Sequence, residues 1–458
     1  MRLPFLDRSA EMARLGRLLA ARDGRLGVVY GRRRCGKSRL LREVMPPDAV
    51  FFVGDDREAA LQRASVAREI GRSLAGFDRV GYPDWDALLE RWWENASPGS
   101  VLILDELPSL VAGAPELPSL LQRFVDHGTE RGLHLLVAGS SQRMMHGLVL
   151  DRSAPLFGRA AEILKIGPLE VGWIEEALKP ESPGAAMEAF AVWGGIPRYW
   201  ELAADHPDLD TAVRELVLDP LGVLHDEPRA LLLDDLRDTT QAASILSLIG
   251  RGCHRVSEIA GRLGKPATSL GRPLARLIDM GLVERQVPFG APERGGKRSL
   301  YRIADPFLRF WFRFVEPNRS RLETRRTDAV ERDLATSLPH HVADVWEDLA
   351  RRSVPRLDLG GESWGSARRW WGTGLDRSPL EIDVVAEDPE HRRLLVGEVK
   401  WSTRRKAERL VGELRHKATR LPFAAEREIV PVLWIAEPPA GTSRESVVTA
   451  RDVLDVLR

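Results

Sequence analysis

The sequence contains very little cysteine and has no long uninterrupted run of apolar residues. Its 458 residues include only two cysteines, Cys35 and Cys253, which are too few for a disulfide framework or a thiolate zinc site. Because no window is apolar enough to span a bilayer and the amino terminus lacks a secretory segment, we expect a cytoplasmic protein without a membrane partner. The formal net charge is +0, so any surface for nucleic acid must be a local basic patch.

Lysine is also scarce, since only eight of the 67 basic residues are lysines. Arginine therefore supplies positive charge almost everywhere in the chain. A lysine is favoured where a compact ammonium is preferred to the rigid fork of a guanidinium. Lys37 and Lys400 are two of the eight, and each belongs to a motif with recognisable chemistry.

One stretch fits the phosphate-binding pattern GxxxxGK(S/T): Gly31, Arg32, Arg33, Arg34, Cys35, Gly36, Lys37 and Ser38. A predicted strand over 26–30 precedes it and a helical pattern over 39–45 follows it. Two glycines allow consecutive N–H groups and a helix N-terminus to point at one phosphate chain. We expect the backbone from Gly31 to Arg39 to line ATP, Lys37 to neutralise its phosphates and Ser38 to hold Mg²⁺. The alternative is a basic loop leading into an ordinary helix.

A second apolar strand is predicted at 101–104 and runs into two acids. Ligands of open parallel sheets bind at the carboxyl ends of strands, so we expect Asp105 to hold Mg²⁺ and Glu106 to act on the attacking water. A buried strand followed by an acidic loop is the alternative. Farther on, Ser140 is a candidate phosphate or water sensor, or part of a simple turn. Arg159 is a candidate catalytic cation acting in cis or on a neighbouring subunit of a homo-oligomer, or a solvated arginine.

Strands that alternate with helices predict a parallel α/β sheet covered on both faces. Together with the sequence Gly194 to Trp200, these motifs resemble the archaeal-type ATPases of the AAA+ and STAND-like P-loop assemblage. The resemblance implies a five-stranded ATPase core over 1–166 and a helical lid over 167–235, in which a turn at Pro197 faces the nucleotide. A helix end followed by a proline stop is the alternative for that turn.

The range 236–316 is predicted to be a winged helix-turn-helix. Eleven basic and four acidic residues lie between Arg251 and Arg302, and the order is three helices, a strand, a Gly- and Pro-rich loop and a strand. Such a domain reads duplex DNA with its third helix and meets phosphate with its wing, although winged helices also bind proteins. An aromatic stripe over 307–314 is predicted to be core. The candidate DNA contacts are Ser269, Arg272, Arg276, Arg294, Lys297 and Arg298.

A polar connector is predicted over 317–335, followed by a second α/β domain over 336–458. Alternate residues of a strand share a face, so Glu398 and Lys400 lie together, and a hairpin partner would add Asp383. These residues could hold Mg²⁺ and orient water against a phosphodiester. They resemble the PD-(D/E)xK restriction-endonuclease-like fold, which implies catalytic and metal-binding roles for them and an upstream acid at Glu347. Charged alternate positions of an ordinary hairpin, or a domain that only docks on DNA, are the alternatives.

The sequence as a whole therefore predicts a Mg²⁺-dependent ATPase whose winged helix and nuclease-like tail engage double-stranded DNA. A nucleotide-dependent signalling module that binds a protein partner and has no nuclease activity is the second hypothesis. The two differ in the salt dependence of DNA binding, which is steep only when phosphate contacts dominate.

Overall fold

The computed structural model describes residues 3–235, 239–293, 298–361, 363–403, 405–439 and 446–458. The chain divides into two compact units. Leu6–Pro168 forms the amino-terminal unit, and Leu169–Arg458 makes up nearly all of the carboxy-terminal unit. Across these described ranges, no helix has both the length and the apolar character needed to cross a bilayer.

The amino-terminal unit alternates strands with helices, as the sequence predicts. Its five strands form one parallel sheet in the order β2-β3-β4-β1-β5, so β4 lies between β1 and β3. The elements are α1 (Ser9–Leu19), β1 (Leu26–Tyr30), α2 (Lys37–Val44), β2 (Val50–Val53), α3 (Ala59–Gly71), α4 (Trp85–Asn95), β3 (Val101–Asp105), α5 (Leu107–Gly113), α6 (Leu117–Gly128), β4 (His134–Gly139), α7 (Gln142–Met145) and β5 (Ala160–Lys165).

The central strands of this sheet are buried along their whole length. Every residue of β3 and β4 is buried, which requires helices on both faces of the sheet. Trp85 and Trp92 of α4 pack with the strands in one apolar core and are each 1% exposed. Burying each large side chain contributes about 1.5–3 kcal/mol, so this core holds the strand ends in fixed positions.

The carboxy-terminal unit contains a helical part, a small hairpin and a second sheet. Strands β6 and β7 form the antiparallel hairpin, and the sheet order is β12-β11-β10-β9-β8. The elements are α8 (Ile174–Leu178), α9 (Pro183–Trp193), α10 (Pro197–Ala203), α11 (Leu209–Val213), α12 (Glu227–Asp235), α13 (Thr239–Gly250), α14 (Val256–Leu263), α15 (Gly271–Asp279), β6 (Val283–Gln286), β7 (Leu300–Ile303), α16 (Pro306–Phe310), α17 (Arg319–Glu323), α18 (Thr327–Ser353), β8 (Arg368–Thr373), β9 (Pro379–Glu387), β10 (Arg393–Ser402), α19 (Ala407–Ala418), β11 (Glu428–Glu437), β12 (Val447–Val448) and α20 (Ala450–Val456).

The aromatic stripe over 307–314 is core, as predicted. Phe307 and Phe310 are fully buried, and the Phe307 ring lies 4.6 Å from that of Tyr199 in α10. The indole N–H of Trp311 donates to the carbonyl oxygen of His225 at 2.7 Å. This stripe therefore joins the hairpin region to the helices that precede it.

The stretch predicted to be a connector, 317–335, is largely helical instead. It contains α17 and the first turns of α18, which continues without interruption past Pro339 to Ser353. Val330 and Leu334, four residues apart, are buried on one face of α18. The polar composition that suggested a connector comes from the solvated face of an amphipathic helix.

A buried histidine lies where α18 packs against α9. His341 is fully buried, and its Nε2 lies 2.8 Å from the carbonyl oxygen of Ala191. The rings of Phe310 and Phe314 flank it at 5.8 and 5.7 Å. Burial lowers the pKa of His341 to about 3, so this side chain is neutral in the folded protein at neutral pH.

We expect the free energy of unfolding to decrease as the pH falls from about 6.5 to about 3, because in this range His341 is protonated in the unfolded chain but neutral in the folded protein. His341→Leu should flatten this slope by up to about 1.4 kcal/mol per pH unit. Guanidinium denaturation across that pH range measures the slope. His340→Leu, at the exposed neighbour, is the matched control, and an unchanged slope in His341→Leu would contradict the assignment.

Candidate functional site

The loop between β1 and α2 needs glycine at both ends. Gly31 has φ 147° and Gly36 has φ 93°, a region that other residues rarely adopt. A Cβ on Gly31 would lie 2.1 Å from the carbonyl oxygen of Ile166. A Cβ on Gly36 would meet no described atom within 4 Å. The first glycine is therefore fixed by a close backbone approach, whereas the second borders open space at the N-terminus of α2.

The other residues of this loop differ in exposure. Arg34 adopts φ 68°, so the loop curls at a non-glycine position as well. The Nε of Arg39 lies 3.9 Å from Oε1 of Glu43, one turn along α2. Such a curl turns successive backbone N–H groups to one side of the loop. Arg32 and Cys35 are buried, Arg33 is exposed, and Arg34, Ser38 and Arg39 are half-buried.

Lys37 is buried with its ammonium turned back onto the loop. The Nζ atom donates to the carbonyl oxygens of Gly31 at 2.9 Å and of Arg32 at 3.2 Å. Burial lowers the pKa of Lys37, and the nearby carboxylates of Glu106 and Asp105 oppose that shift. The two carboxylates at the end of β3 therefore stabilise the charged form of the same ammonium group that the loop carbonyls bind. The strand order allows this, because β1 and β3 both lie next to β4.

Within the described part of the chain, Asp105 has one carboxylate oxygen that receives no hydrogen bond. The side chain is fully buried, and its Oδ1 accepts the N–H of Glu106 at 3.0 Å. Its Oδ2 is buried and has no hydrogen-bond partner among the residues that the structure describes. Such an oxygen costs about 1–3 kcal/mol, and a hydrated Mg²⁺ would satisfy it, so Asp105 fits the metal-holding role.

Glu106 is held by Ser140 from the neighbouring strand. Its backbone lies in the left-handed region, with φ 51° and ψ 48°, which costs about 1–2 kcal/mol for a non-glycine residue. Its Oε2 accepts the Ser140 N–H at 3.1 Å and the Ser140 hydroxyl at 3.0 Å. The sequence assigned Ser140 to a phosphate or a water, but here its partner is the glutamate expected to activate water.

Arg159 lies at the amino ends of the strands, whereas the loop lies at their carboxyl ends. It precedes Ala160, which pairs with Leu26 at the start of β1, whereas the loop follows the last residue of that strand. A strand of this length spans about 16 Å. This placement favours the alternative in which Arg159 acts on a neighbouring subunit, and a catalytic role for Arg159 stays a prediction. Its guanidinium binds both carboxylate oxygens of Asp126, at 2.6 and 2.9 Å.

Pro197 belongs to the carboxy-terminal unit, where it begins α10. The turn before it is fixed by Trp200, whose indole N–H donates to the carbonyl oxygen of Gly194 at 2.7 Å. Gly194 has φ 60° and ψ −157°, which a β-carbon would disfavour. A role of Pro197 at the nucleotide stays a prediction.

The third helix of the basic region has one polar and one apolar face. Arg272 and Arg276, one turn apart on α15, are both exposed, and Leu274 and Leu277 are buried on the other face. Ser269 precedes this helix and is also exposed, and its hydroxyl donates to the carbonyl oxygen of Pro266 at 2.7 Å. These three side chains are accessible from outside, and their role as DNA contacts stays a prediction.

The loop of the β6–β7 hairpin is docked on the second sheet. The ring of Phe289 lies 5.4 Å from that of Phe423 and packs with the core of that sheet. Arg298 is exposed, whereas Arg294 and Lys297 lie outside the described residues. At least one side of this predicted wing therefore faces protein.

The acids of the second sheet come together as predicted, because β9 and β10 are antiparallel neighbours. Asp383 Oδ2 accepts the N–H of Val399 at 2.9 Å. Glu398 Oε1 binds the Lys400 ammonium at 2.7 Å, and Glu398 Oε2 binds that of Lys417 at 2.7 Å. Sequence reasoning missed Lys417, although the rarity of lysine would have drawn attention to it.

These contacts divide the acids of the site into two kinds. Burial raises the pKa of Asp383 and of Glu347, and each feels a neighbouring carboxylate that adds to the shift. For Glu398 burial acts in the same direction, but hydrogen bonds from Lys400 and Lys417 outweigh it and lower the pKa. In the described ranges, no three His, Cys, Asp or Glu side chains are grouped closely enough to hold a metal.

Comparisons with known proteins indicate an activity for the amino-terminal part of the chain but not for the carboxy-terminal part. Residues 5–201 match a family described as an ATPase domain predominantly from Archaea, and residues 311–410 match a family of archaeal and bacterial proteins of unknown function. An uncharacterized protein of Methanocaldococcus jannaschii is 28% identical over 402 residues, 87% of each chain. A Walker-type ATPase of Pyrococcus abyssi has a similar fold, with 20% identity and a TM-score of 0.51 over 68% of this chain and 96% of that one. The predicted P-loop ATPase is therefore confirmed, and the carboxy-terminal match assigns no activity.

We expect Lys417→Gln to raise the affinity of the nucleotide-free protein for Mn²⁺ by roughly tenfold, because a charge-assisted hydrogen bond worth about 1.5–3 kcal/mol no longer occupies one Glu398 oxygen. Isothermal titration measures this affinity. Lys406→Gln, at an exposed lysine beside the same helix, removes the same charge and should have little effect. Equal Mn²⁺ binding by both variants would show that Lys417 does not restrict access to Glu398.

Proposed function

We propose that this P-loop ATPase uses ATP binding and hydrolysis to control how its carboxy-terminal unit engages double-stranded DNA. The observation that carries the nucleotide part is the convergence of Lys37, Asp105 and Glu106 at one edge of the parallel sheet. A basic helix face and a second sheet with buried acids support the DNA part.

In this proposal the chain's own residues bind and orient the nucleotide. The N–H groups of the loop and of the first turn of α2 face the phosphates, and Lys37 exchanges the carbonyl oxygens of Gly31 and Arg32 for phosphate oxygens. Ser38 and Oδ2 of Asp105, which has no hydrogen-bond partner among the described residues, would hold Mg²⁺, and that ion would supply charge neutralisation.

Glu106 would orient the attacking water and accept its proton. The two hydrogen bonds from Ser140 hold its carboxylate at the end of β4. Both of these bonds fall on Oε2 and leave the proton of the water to Oε1, which makes Ser140 a positioning residue for Glu106. Only a difference in ATP affinity between two conformers can transmit this change to the rest of the chain.

The DNA-engaging part is proposed to be a winged helix. The order α13, α14, α15 and the β6–β7 hairpin supports it, as do the exposed Arg272 and Arg276. Ser269 would join them at the major groove, where both guanidinium groups would also contact phosphate, and Arg298, Arg294 and Lys297 would contact phosphate from the wing. The docked Phe289 favours a second candidate function, in which this module binds a protein partner and the hairpin serves as an internal support.

The domain over 336–458 is proposed to have the restriction-endonuclease-like fold. The order α18, β8, β9, β10, α19 and β11, with β10 parallel to β11, supports this. Asp383, Glu398 and Lys400 would be its catalytic and metal-binding groups. Because both Glu398 oxygens bind ammonium groups, docking on DNA is favoured over cleavage in the arrangement described.

Glu106→Gln should bind ATP as the unchanged protein does but hydrolyse it roughly 100-fold more slowly, because the amide cannot accept a proton. Equilibrium dialysis with labelled ATP and a phosphate-release assay measure the two properties separately. Glu116→Gln changes an exposed acid of the same unit and should keep full turnover. Undiminished turnover in Glu106→Gln would exclude Glu106 as the base.

Replacing Arg272 and Arg276 together with alanine should weaken duplex binding and reduce the slope of log K against log salt by about 2, since each phosphate contact contributes about 0.9. Fluorescence anisotropy of a labelled duplex at several salt concentrations measures that slope. The matched control is Arg409→Ala with Arg415→Ala on the exposed face of α19. Duplex binding that does not depend on salt would favour the protein-partner function instead.

A further inference from the structure

A large cavity within the carboxy-terminal unit is lined by arginine. It has a volume of about 790 Å³ and lies among β6, the end of α18 and β8. This volume suits a ligand of nucleotide size. Four carboxylates also line it, so the walls carry an excess of two positive charges. The arginines are Arg285, Arg351, Arg352, Arg356, Arg368 and Arg369.

Most of these arginines already have carboxylate partners. Arg352 and Arg356 share Glu170, and Arg368 pairs with Glu293 at 2.7 Å. These ion pairs hold the rim of the cavity in place, and Arg351 likewise pairs with Asp348.

Two arginines differ in how their donors are used. Arg285 donates to neutral oxygens, the hydroxyl of Ser299 at 2.9 Å and the carbonyl of Glu293 at 2.8 Å. Arg369 pairs with Glu381 through one terminal nitrogen, and its Nε is buried. Burial also raises the pKa of Glu284, another carboxylate on the walls of the cavity.

Three buried polar atoms on the walls have no hydrogen-bond partner among the residues described. Two are donors on one face of β8, the Nε of Arg369 and the indole N–H of Trp371. The third is an acceptor on the facing hairpin, Oε1 of Gln286. Buried polar groups are normally paired, so this set calls for a ligand with anionic oxygens on one side and a donor on the other.

A nucleotide unit has these features, because its phosphate offers oxygens and its sugar or base offers O–H or N–H donors. The half-buried ring of Trp371 adds a surface on which a base can stack. Arg351 connects the cavity to two acidic residues of the domain over 336–458. Its Nη1 donates to the backbone carbonyl oxygen of Asp383 at 3.0 Å and lies 3.7 Å from Oε2 of Glu347.

We propose that this cavity is a second phosphate-binding site, separate from the loop at Gly31, that holds a nucleotide unit with its phosphate against Arg285, Arg369 and the Trp371 N–H. The unit comes either from a nucleic-acid strand or from a free nucleotide. The strand as source rests on the proposed function, because it adds a nucleic-acid contact to the same unit. Its position would bring the phosphate close to Glu347 and Asp383.

The test uses the full-length protein with Lys37→Ala, which removes phosphate binding at the loop. The cavity variant adds Arg285→Gln and Trp371→Phe, which keep a polar side chain and an aromatic ring while removing a charge and an N–H donor. The matched control adds Arg409→Gln and Trp401→Phe. The probes are a labelled single-stranded oligonucleotide, followed by fluorescence anisotropy, and ATP and inorganic phosphate as competitors.

We expect the cavity variant to bind the oligonucleotide about tenfold more weakly than the control. Competition by ATP at similar affinity identifies a free nucleotide as the source, and competition by neither ATP nor phosphate identifies the strand. If the control and the cavity variant bind all probes equally, the proposal is overturned. Should Trp371→Phe lower the thermal midpoint, Arg285→Gln alone gives the same comparison.

The failure of this proposal can be told apart from the failure of the proposed function. Weaker duplex binding after Arg272 and Arg276 are replaced, together with an unchanged cavity variant, keeps the function and removes the second site. If no nucleic acid binds at all, the function fails. ATP binding to the Lys37→Ala protein, with its loss in the cavity variant, then still decides whether the cavity binds nucleotides.

Discussion

The position of β4 between β1 and β3 is the constraint on which the nucleotide site depends. Parallel strands end at the same edge of a sheet, so this order brings the loop after β1 and the acids after β3 to either side of Gly139 and Ser140. Ser140 can then hold Glu106, and the acids can act on the ammonium of Lys37. The apolar core beneath the strands makes this arrangement rigid.

In the carboxy-terminal unit a buried ion-pair network has the corresponding role. Asp348 of α18 binds Arg309 of α16 at 2.8 Å and also pairs with Arg351. Although burial opposes it, the surrounding guanidinium groups lower the pKa of Asp348. Because breaking a buried pair costs about 3–5 kcal/mol, this network fixes α18, and with it Glu347 and one wall of the arginine-lined cavity.

The two lysine-containing sites differ in the hydrogen bonds that their ammonium groups must break before a ligand can bind. Lys37 donates to backbone carbonyls, which a phosphate oxygen can replace with a stronger, charge-assisted bond. Lys400 and Lys417 already bind a carboxylate, so a metal ion would have to break an ion pair to reach Glu398. The first site is prepared for a ligand, whereas the second is closed by its own charges.

The sequence by itself determined the features that depend on neighbouring residues. The phosphate loop needs two glycines at a fixed spacing, and the strands predicted over 26–30 and 101–104 are short apolar runs, so both follow from local sterics and periodicity. The pairing of β9 with β10 was also predictable, because two strands separated by a short loop usually form a hairpin.

Only the tertiary structure decided which distant residues meet. It placed Arg159 at the amino ends of the strands, made Ser140 the partner of Glu106 and brought Lys417 to Glu398 from a helix that follows the hairpin. It also formed the cavity at Arg369 from segments far apart in the chain. Sequence spacing could not reveal these contacts, because they follow from strand order and packing, which the whole chain settles together.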